Sequence, residues 1–325
     1  MKFKKMNGSQ AIREALVEEM ERDKNVFLLG EDIRISMYGI GGLDKQFGKD
    51  RVLLAPISEN GFCGAAVGAA LTGKRPVVEL MYNDFILLAL DAIGNQAAKY
   101  RYMCGGDPWK VPVVYRIASS GLGAGEGLHH SQSLEASALN LPGLTVLAPS
   151  NPADMKGMLK SAIRYDNPVL FFEYKKLYAA VGNVPDQDDF LVPLGKAKVI
   201  NEGNDITIIS FATGIKKSIE AAEKLAKDGI SVEIIDLRTL RPLDKETIAS
   251  SIEKTGKVII VEDDPKSWGV GSEISAIIAE EMFEFLDAPV KRVAGEDTCV
   301  PGHRDTEEFV VKSVDDIIEV AKGVV

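Results

Sequence analysis

Cysteine is scarce in this sequence. The three residues in 325, Cys63, Cys104 and Cys299, are odd in number, scattered, and lack Cys-x-x-Cys spacing, which excludes a disulfide framework or a zinc site and points to a reducing compartment. Positive charge is also short: 38 Lys and Arg against 48 Asp and Glu leave a net charge of −10, so neither nucleic acid nor an anionic membrane is the expected main partner. Long apolar runs are missing. The lysines near the N-terminus are not followed by the apolar stretch of a signal peptide. The Gly/Ala run at 61–71 falls far short of the roughly 20 residues a membrane span needs. The expected setting is the cytoplasm, with no membrane.

Several catalytic signatures are lacking as well. There is no Gly-x-Ser-x-Gly elbow and no His-Glu-x-x-His, and Ser131 beside His130 has no elbow around it. The glycine-rich loop 121–127 does not end in Gly-Lys-Ser/Thr, and Gly39-Ile-Gly41-Gly42 lacks a strand-to-helix context. Neither is therefore read as a nucleotide site.

What is present is an alternation. Residues 9–22 repeat apolar positions at Ile12, Leu16 and Met20, the period of an amphipathic helix. Continuous apolar runs at 25–30, 52–54, 76–81, 111–116, 144–148 and 168–173 read as buried strands. They alternate with helical stretches at 59–71, 86–100 and 152–164. Such strands between helices predict a parallel sheet covered on both faces. The stretch 179–195 turns polar, acidic and turn-rich, as a domain linker does. A second set follows, with strands at 206–211, 232–237, 258–261 and 290–293 and helices near 215–227, 244–254, 271–285 and 314–322. The length suits two domains of roughly 150 residues.

Three places carry candidate chemistry. Glu59 follows Ser58 at the start of a helix made almost wholly of Gly and Ala. Ser58 capping the helix, with Glu59 complementing the dipole, explains the pair; so does a functional carboxylate at a strand's carboxyl edge, where open α/β sheets bind ligands. Spacing alone leaves both readings open. A glycine-rich loop delivers His129-His130, adjacent residues of which at most one serves chemistry; such a loop suits a closing active site. Gly269-Val-Gly271, before a helix, suits either an anion at the helix N-terminus or close helix packing.

A set of blocks then carries a family resemblance: Pro56-Ile-Ser-Glu59 with Gly61-Phe-Cys-Gly-Ala-Ala-Val-Gly68, Asn95 to Met103 with Gly105-Gly106, His130-Ser-Gln132, Pro142-Gly143-Leu144, Lys156 to Arg164, Asn167 to Glu173 and Val232 to Asp244. In order over nearly the whole chain, they resemble the β subunit of the thiamine-diphosphate-dependent first component of 2-oxo acid dehydrogenases. The resemblance implies an α/β fold of two doubly wound domains. A pyrimidine-binding domain (1–185) precedes a linker (186–200) and a transketolase C-terminal-like domain (201–325). It implies that Glu59 bonds the pyrimidine ring nitrogen and so promotes the imino tautomer that takes the proton from the thiazolium carbon. It places Phe85 against the pyrimidine, Met81 nearby, and His130 at the channel for acyl transfer to a lipoyl group. A structural potassium ion is implied at Val113, Ala162, Ile163, Tyr165 and Asn167, although the family often has Asp where Tyr165 stands.

The Gly-Asp-Gly…Asn motif that holds the diphosphate and Mg2+ is missing; Gly105-Gly-Asp107 is the nearest string. The resemblance therefore implies an α subunit holding that half, in an α2β2 assembly whose seam includes the Gly/Ala helix. A lipoyl-bearing dihydrolipoyl acyltransferase is the implied further partner. The segment Cys299 to Arg304 departs from the Pro-aromatic pair common in relatives. Pyruvate is the leading substrate, with acetoin and branched-chain 2-oxo acids as alternatives and a non-catalytic assembly subunit as the reading from another class.

Overall fold

The computed structural model describes residues 2–35, 38–120, 125–187, 189–307 and 309–325. The chain divides into two units, one comprising residues up to Ser120 with Ser137–Leu194, the other 125–136 with Gly195–Val325. No helix among the described residues is long and apolar enough to cross a membrane.

The first unit begins with β1 (Phe3–Asn7), α1 (Gly8–Arg22), β2 (Val26–Gly30), α2 (Leu43–Phe47), β3 (Val52–Leu54), α3 (Glu59–Leu71) and β4 (Arg75–Leu80). A 3-10 turn, Asn83–Phe85, leads to α4 (Ile86–Leu90), a π-helical segment Asp91–Ala97, α5 (Ala98–Met103) and β5 (Val114–Ser119). After α6 (Glu135–Leu139), whose first two residues are grouped with the second unit, come β6 (Thr145–Leu147), α7 (Pro152–Arg164), β7 (Val169–Tyr174), α8 (Lys175–Tyr178) and β8 (Val181–Pro185). Parallel strands run in the order β6-β7-β5-β4-β2-β3, while β1 and β8 form a separate antiparallel pair. β5 and β7 are buried along their whole length, as expected of strands covered on both faces.

Local sequence explains the helices. Asn7 and Gln10 cap α1 reciprocally, satisfying two donors that a helix start leaves free; Ile12, Leu16 and Met20 face the core. Asn151 caps α7, with Pro152 next, where a missing N–H costs nothing.

Two of the differences from the sequence expectation have a clear local cause. The strand expected at 111–116 begins at Val114, because Pro112 has no N–H for a ladder and Val113 N–H turns back to Val111 O at 2.8 Å. The helix expected over 86–100 is interrupted by the π-helical turn: Ala92 N–H donates to the Asn60 side chain at 3.2 Å, and such turns mark places where the regular helix ladder gives way.

The second unit contains β9 (Lys198–Asn201), β10 (Ile206–Ser210), α9 (Ala212–Lys227), β11 (Val232–Asp236), β12 (Thr239–Arg241), α10 (Lys245–Thr255), β13 (Val258–Pro265), α11 (Val270–Glu281), β14 (Lys291–Gly295), α12 (Arg304–Glu307) and α13 (Val314–Lys322). Its sheet runs β14-β13-β10-β11-β9, with β9 antiparallel at the edge and the other pairs parallel. Ile206, Ile208, Ile234 and Ile259 pack with Ile215 and Leu225 of α9 and Ile317 of α13. This is the mixed α/β architecture with parallel sheets that the strand–helix alternation predicts.

Candidate functional site

The carboxyl ends of β2, β3 and β4 lie side by side because these strands pair in parallel: Gly30 is opposite Leu54 on one side and Glu79 on the other. Whatever follows each strand therefore collects at one sheet edge, the place where α/β folds bind ligands. Glu31 follows β2, Glu59 opens α3 after β3, and Met81 and Phe85 follow β4. The sequence-predicted residues Glu59, Met81 and Phe85 thus share this edge. His130 belongs to the second unit; its N–H donates to Gly127 O at 3.2 Å, it is half-buried, and His129 is exposed. The glycine-rich stretch 121–124 lies outside the described residues.

Ser58 does not cap the helix through its side chain, and Glu59 is only 6 % exposed. The side-chain cap expected of Ser58 is therefore absent, and Glu59, though in the first turn of the helix, is withdrawn from water. Glu31 is equally buried, and one of its oxygens has no partner. Burial first, then the charges of Glu59 and Asp32, raise the Glu31 carboxyl to about 7. The Cys63 thiol is pushed up by burial and then by Glu59 and Glu31, which makes it inert rather than nucleophilic. Glu31, next to a second buried carboxylate, thus holds a proton near neutral pH. Glu31 escaped the sequence reading. Its signal was its place at the end of a buried strand, but its pairing with Glu59 depends on a strand register that no local pattern displays.

α3 buries Phe62, Cys63, Ala66, Val67 and Ala70 and leaves Gly61, Ala65 and Gly68 exposed on the opposite face. Beyond β4, Phe85 is half-buried, Tyr82 lies 6.3 Å from it and 6.2 Å from Tyr38 between ring centroids, and Lys175 Nζ sits 3.9 Å above the Tyr82 ring.

The five residues of the potassium expectation are already engaged. The Ile163 and Tyr165 carbonyls accept from the Arg75 guanidinium at 2.9 and 3.2 Å, and Asn167 Oδ1 accepts from Arg101 at 2.6 Å. Val113 O accepts from Val169 N–H and Ala162 O from Tyr165 N–H. Each of these oxygens thus accepts a hydrogen bond, which leaves a carbonyl's second lone pair available to a cation.

The Gly269-Val-Gly271 question is also answered by the chain itself. Gly271 N–H donates to Glu262 Oε2 at 2.8 Å; a Cβ at Gly271 would stand 2.5 Å from Glu262 Oε1, so only glycine admits the carboxylate. The anion at the start of α11 is an internal one. Glu262, Asp264 and Glu135 are each 2 % exposed or less. Burial first, then the neighbouring acids, raises Asp264; burial outweighs the Gly271 hydrogen bond and raises Glu262.

Comparison with known proteins agrees with this architecture. Residues 4–180 match the transketolase pyrimidine binding domain and 195–317 the transketolase C-terminal domain. The 2-oxoisovalerate dehydrogenase subunit beta of Bacillus subtilis is 45 % identical over 97 % of this chain and 97 % of its own length. The pyruvate dehydrogenase E1 component subunit beta of Rhizobium meliloti is 42 % identical over 98 % of this chain and 70 % of its own. The mitochondrial pyruvate dehydrogenase E1 subunit beta of Dictyostelium discoideum is 43 % identical over 99 % of this chain and 91 % of its own. A solved split-gene transketolase, described as an inactive beta4 tetramer, superposes with a TM-score of 0.80 over 98 % of both chains at 22 % identity, a likeness of fold.

Proposed function

We propose a function from one premise: the chain belongs to the family of β subunits of the thiamine-diphosphate-dependent first component of 2-oxo acid dehydrogenases, built from transketolase pyrimidine-binding and C-terminal domains. It holds the aminopyrimidine half of thiamine diphosphate, in the cytoplasm, while an α subunit holds the diphosphate and Mg2+ in an α2β2 assembly. Together they decarboxylate pyruvate oxidatively and pass the acyl group to the lipoyl group of a dihydrolipoyl acyltransferase. Residues 1–185 form the pyrimidine-binding domain and 201–325 the C-terminal-like one, joined by 186–200.

The observation that carries this reading is the buried Glu31–Glu59 pair at the sheet edge that also presents Met81 and Phe85. A buried oxygen of Glu31 without a partner, beside a second buried carboxylate, suits a polar ring able to share a proton, and Phe85 suits its flat face. The site therefore fits an aminopyrimidine. When bound, the cofactor supplies the electron sink that lets a 2-oxo acid lose CO2.

The chain's own residues then have distinct tasks. Glu59 shares a proton with the ring nitrogen, and Glu31, raised to about 7 by burial and by the Glu59 charge, holds a proton beside it. Phe85 stacks on the ring, Met81 lines the apolar side, and His130 serves the acyl transfer. The open Gly61–Ala65–Gly68 face of α3 lets a neighbouring subunit approach closely. The presence of Glu59, Phe85 and His130 in the sequence argues against a purely architectural subunit.

Oxidation of 2-oxoisovalerate, as in the name of the Bacillus relative, or of acetoin is the alternative for the substrate. A dye-reduction assay of the chain co-expressed with its α subunit, comparing pyruvate, 2-oxoisovalerate and acetoin, tests the proposal. Turnover is expected only from the pair, and fastest with pyruvate; full turnover by the isolated chain would overturn the shared site.

A further inference from the structure

One buried network in the first unit lies outside every role assigned above. Arg116 on β5 is 1 % exposed and spans three strands. Its Nη1 donates to Glu79 Oε2 on β4 at 2.6 Å, and its Nε and Nη2 donate to both oxygens of Glu173 on β7 at 2.7 and 2.8 Å. The Tyr178 hydroxyl donates to Glu173 Oε2 at 2.8 Å. A guanidinium has five donors in a fixed plane, and Nη2 also donates to the Tyr38 carbonyl at 3.2 Å. The network thus reaches out of the sheet to the loop that follows β2.

Tyr38 has a φ of 48°, a left-handed conformation uncommon for a residue with a side chain and kept only where surroundings over-determine it. Here they do. Its carbonyl is held by Arg116, and its ring stacks on Tyr178 at 4.7 Å with 24° between the planes. The same ring meets Tyr82 edge-on, at 6.2 Å and 80°, an arrangement aromatic pairs favour. Tyr82 in turn lies 6.3 Å from Phe85, and Phe85 N–H donates to Tyr82 O at 2.9 Å.

We propose that Tyr38 is a positioning residue for the pyrimidine side of the site: Arg116 and Tyr178 fix its backbone and ring, and Tyr38 fixes the Tyr82–Phe85 wall. The proposal rests on the function above for its ligand, but the ordering of the wall is a property of this chain alone. Tyr38 touches no reacting atom. Its loss therefore appears in cofactor affinity and in the mobility of the wall before it appears in the chemical step.

The test compares Tyr38→Leu with the conservative Tyr38→Phe. In the isolated full chain, amide hydrogen exchange of 82–86 is expected to speed up about tenfold in Tyr38→Leu and to return to within twofold of wild type in Tyr38→Phe. Exchange of 206–210, in the second unit, should be unchanged in both. In the complex reconstituted with its α subunit, thiamine diphosphate Kd should rise about tenfold in Tyr38→Leu, with a smaller fall in kcat at saturating cofactor. Unchanged exchange at 82–86, equal acceleration at 206–210, or no rescue by phenylalanine would overturn the positioning role. Failure of the wild-type complex to bind thiamine diphosphate would overturn the functional reading instead, and the exchange comparison would still decide the role of Tyr38.

Discussion

Each unit holds a trio of ionisable side chains buried beside a sheet, one trio centred on a cation and the other made of acids alone. In the first, Glu79 and Glu173 enclose Arg116, and every arm of the guanidinium finds an acceptor. In the second, Glu135, Glu262 and Asp264 meet with no cation bonded to Glu262 or Asp264 among the described residues; Arg292, which acts on Glu262 electrostatically, spends its hydrogen bonds on Lys266 O and Ser272 Oγ. Burial pulls Arg116 toward losing its proton, but Glu173 and Glu79 override it and keep it charged. Glu262 and Asp264 of the second unit are raised toward holding protons. A buried cation enclosed by acids stays charged and fixes geometry, yet burial raises Glu79 beside it to about 7, as it raises Glu262 in the second unit. Glu31 of the site, raised to about 7 beside Glu59, belongs with these raised acids, and a proton held near neutral pH is what proton sharing with a ligand requires.

The largest expected effect comes from removing the cation. Arg116→Met leaves two carboxylates buried and unpaired, and breaking such a pair costs about 3–5 kcal/mol. Urea denaturation should show that loss; a change below about 1 kcal/mol would mean that the network contributes little to holding the fold.

A smaller effect of opposite sign is expected in the second unit. Glu262 is raised above its unfolded value of 4.5, so its protonated form is favoured by folding. Its contribution is complete below that unfolded value and is lost as pH rises through the higher folded one. Glu262→Gln keeps an acceptor for Gly271 N–H and cannot ionise. Its melting temperature should exceed that of wild type by about 2–5 °C at pH 8, with the gain vanishing near pH 4. A gain at both pH values, or a loss at pH 8, would contradict the proton-holding reading.

Much of this was legible in the sequence, and the limits are physical. Strands such as 206–210 and 169–173 are buried on both faces, so their apolar runs announce them. β1 and β8 carry Lys, Asn and Gly on an exposed antiparallel pair, which has no apolar run to read. Glu59 could be placed at a strand end, but spacing could not reveal that Ser58 leaves it uncapped and that the fold buries it. Arg116, Glu79 and Glu173 lie 37 and 57 positions apart along the chain and become partners only through the β4-β5-β7 register. The grouping of 125–136 with the second unit is likewise a matter of three-dimensional packing that local composition does not carry.

The most direct measurement is the turnover of Glu59→Gln in a complex assembled with the α subunit, compared with wild type at saturating thiamine diphosphate and pyruvate. Glutamine preserves size and polarity but cannot share its proton in the same way, and general acid–base contributions of this kind are worth about 10²–10⁴-fold. A loss of at least a hundredfold, with the tetramer intact by sedimentation, is the expected result. A variant that assembles normally and turns over within tenfold of wild type would contradict the role assigned to Glu59.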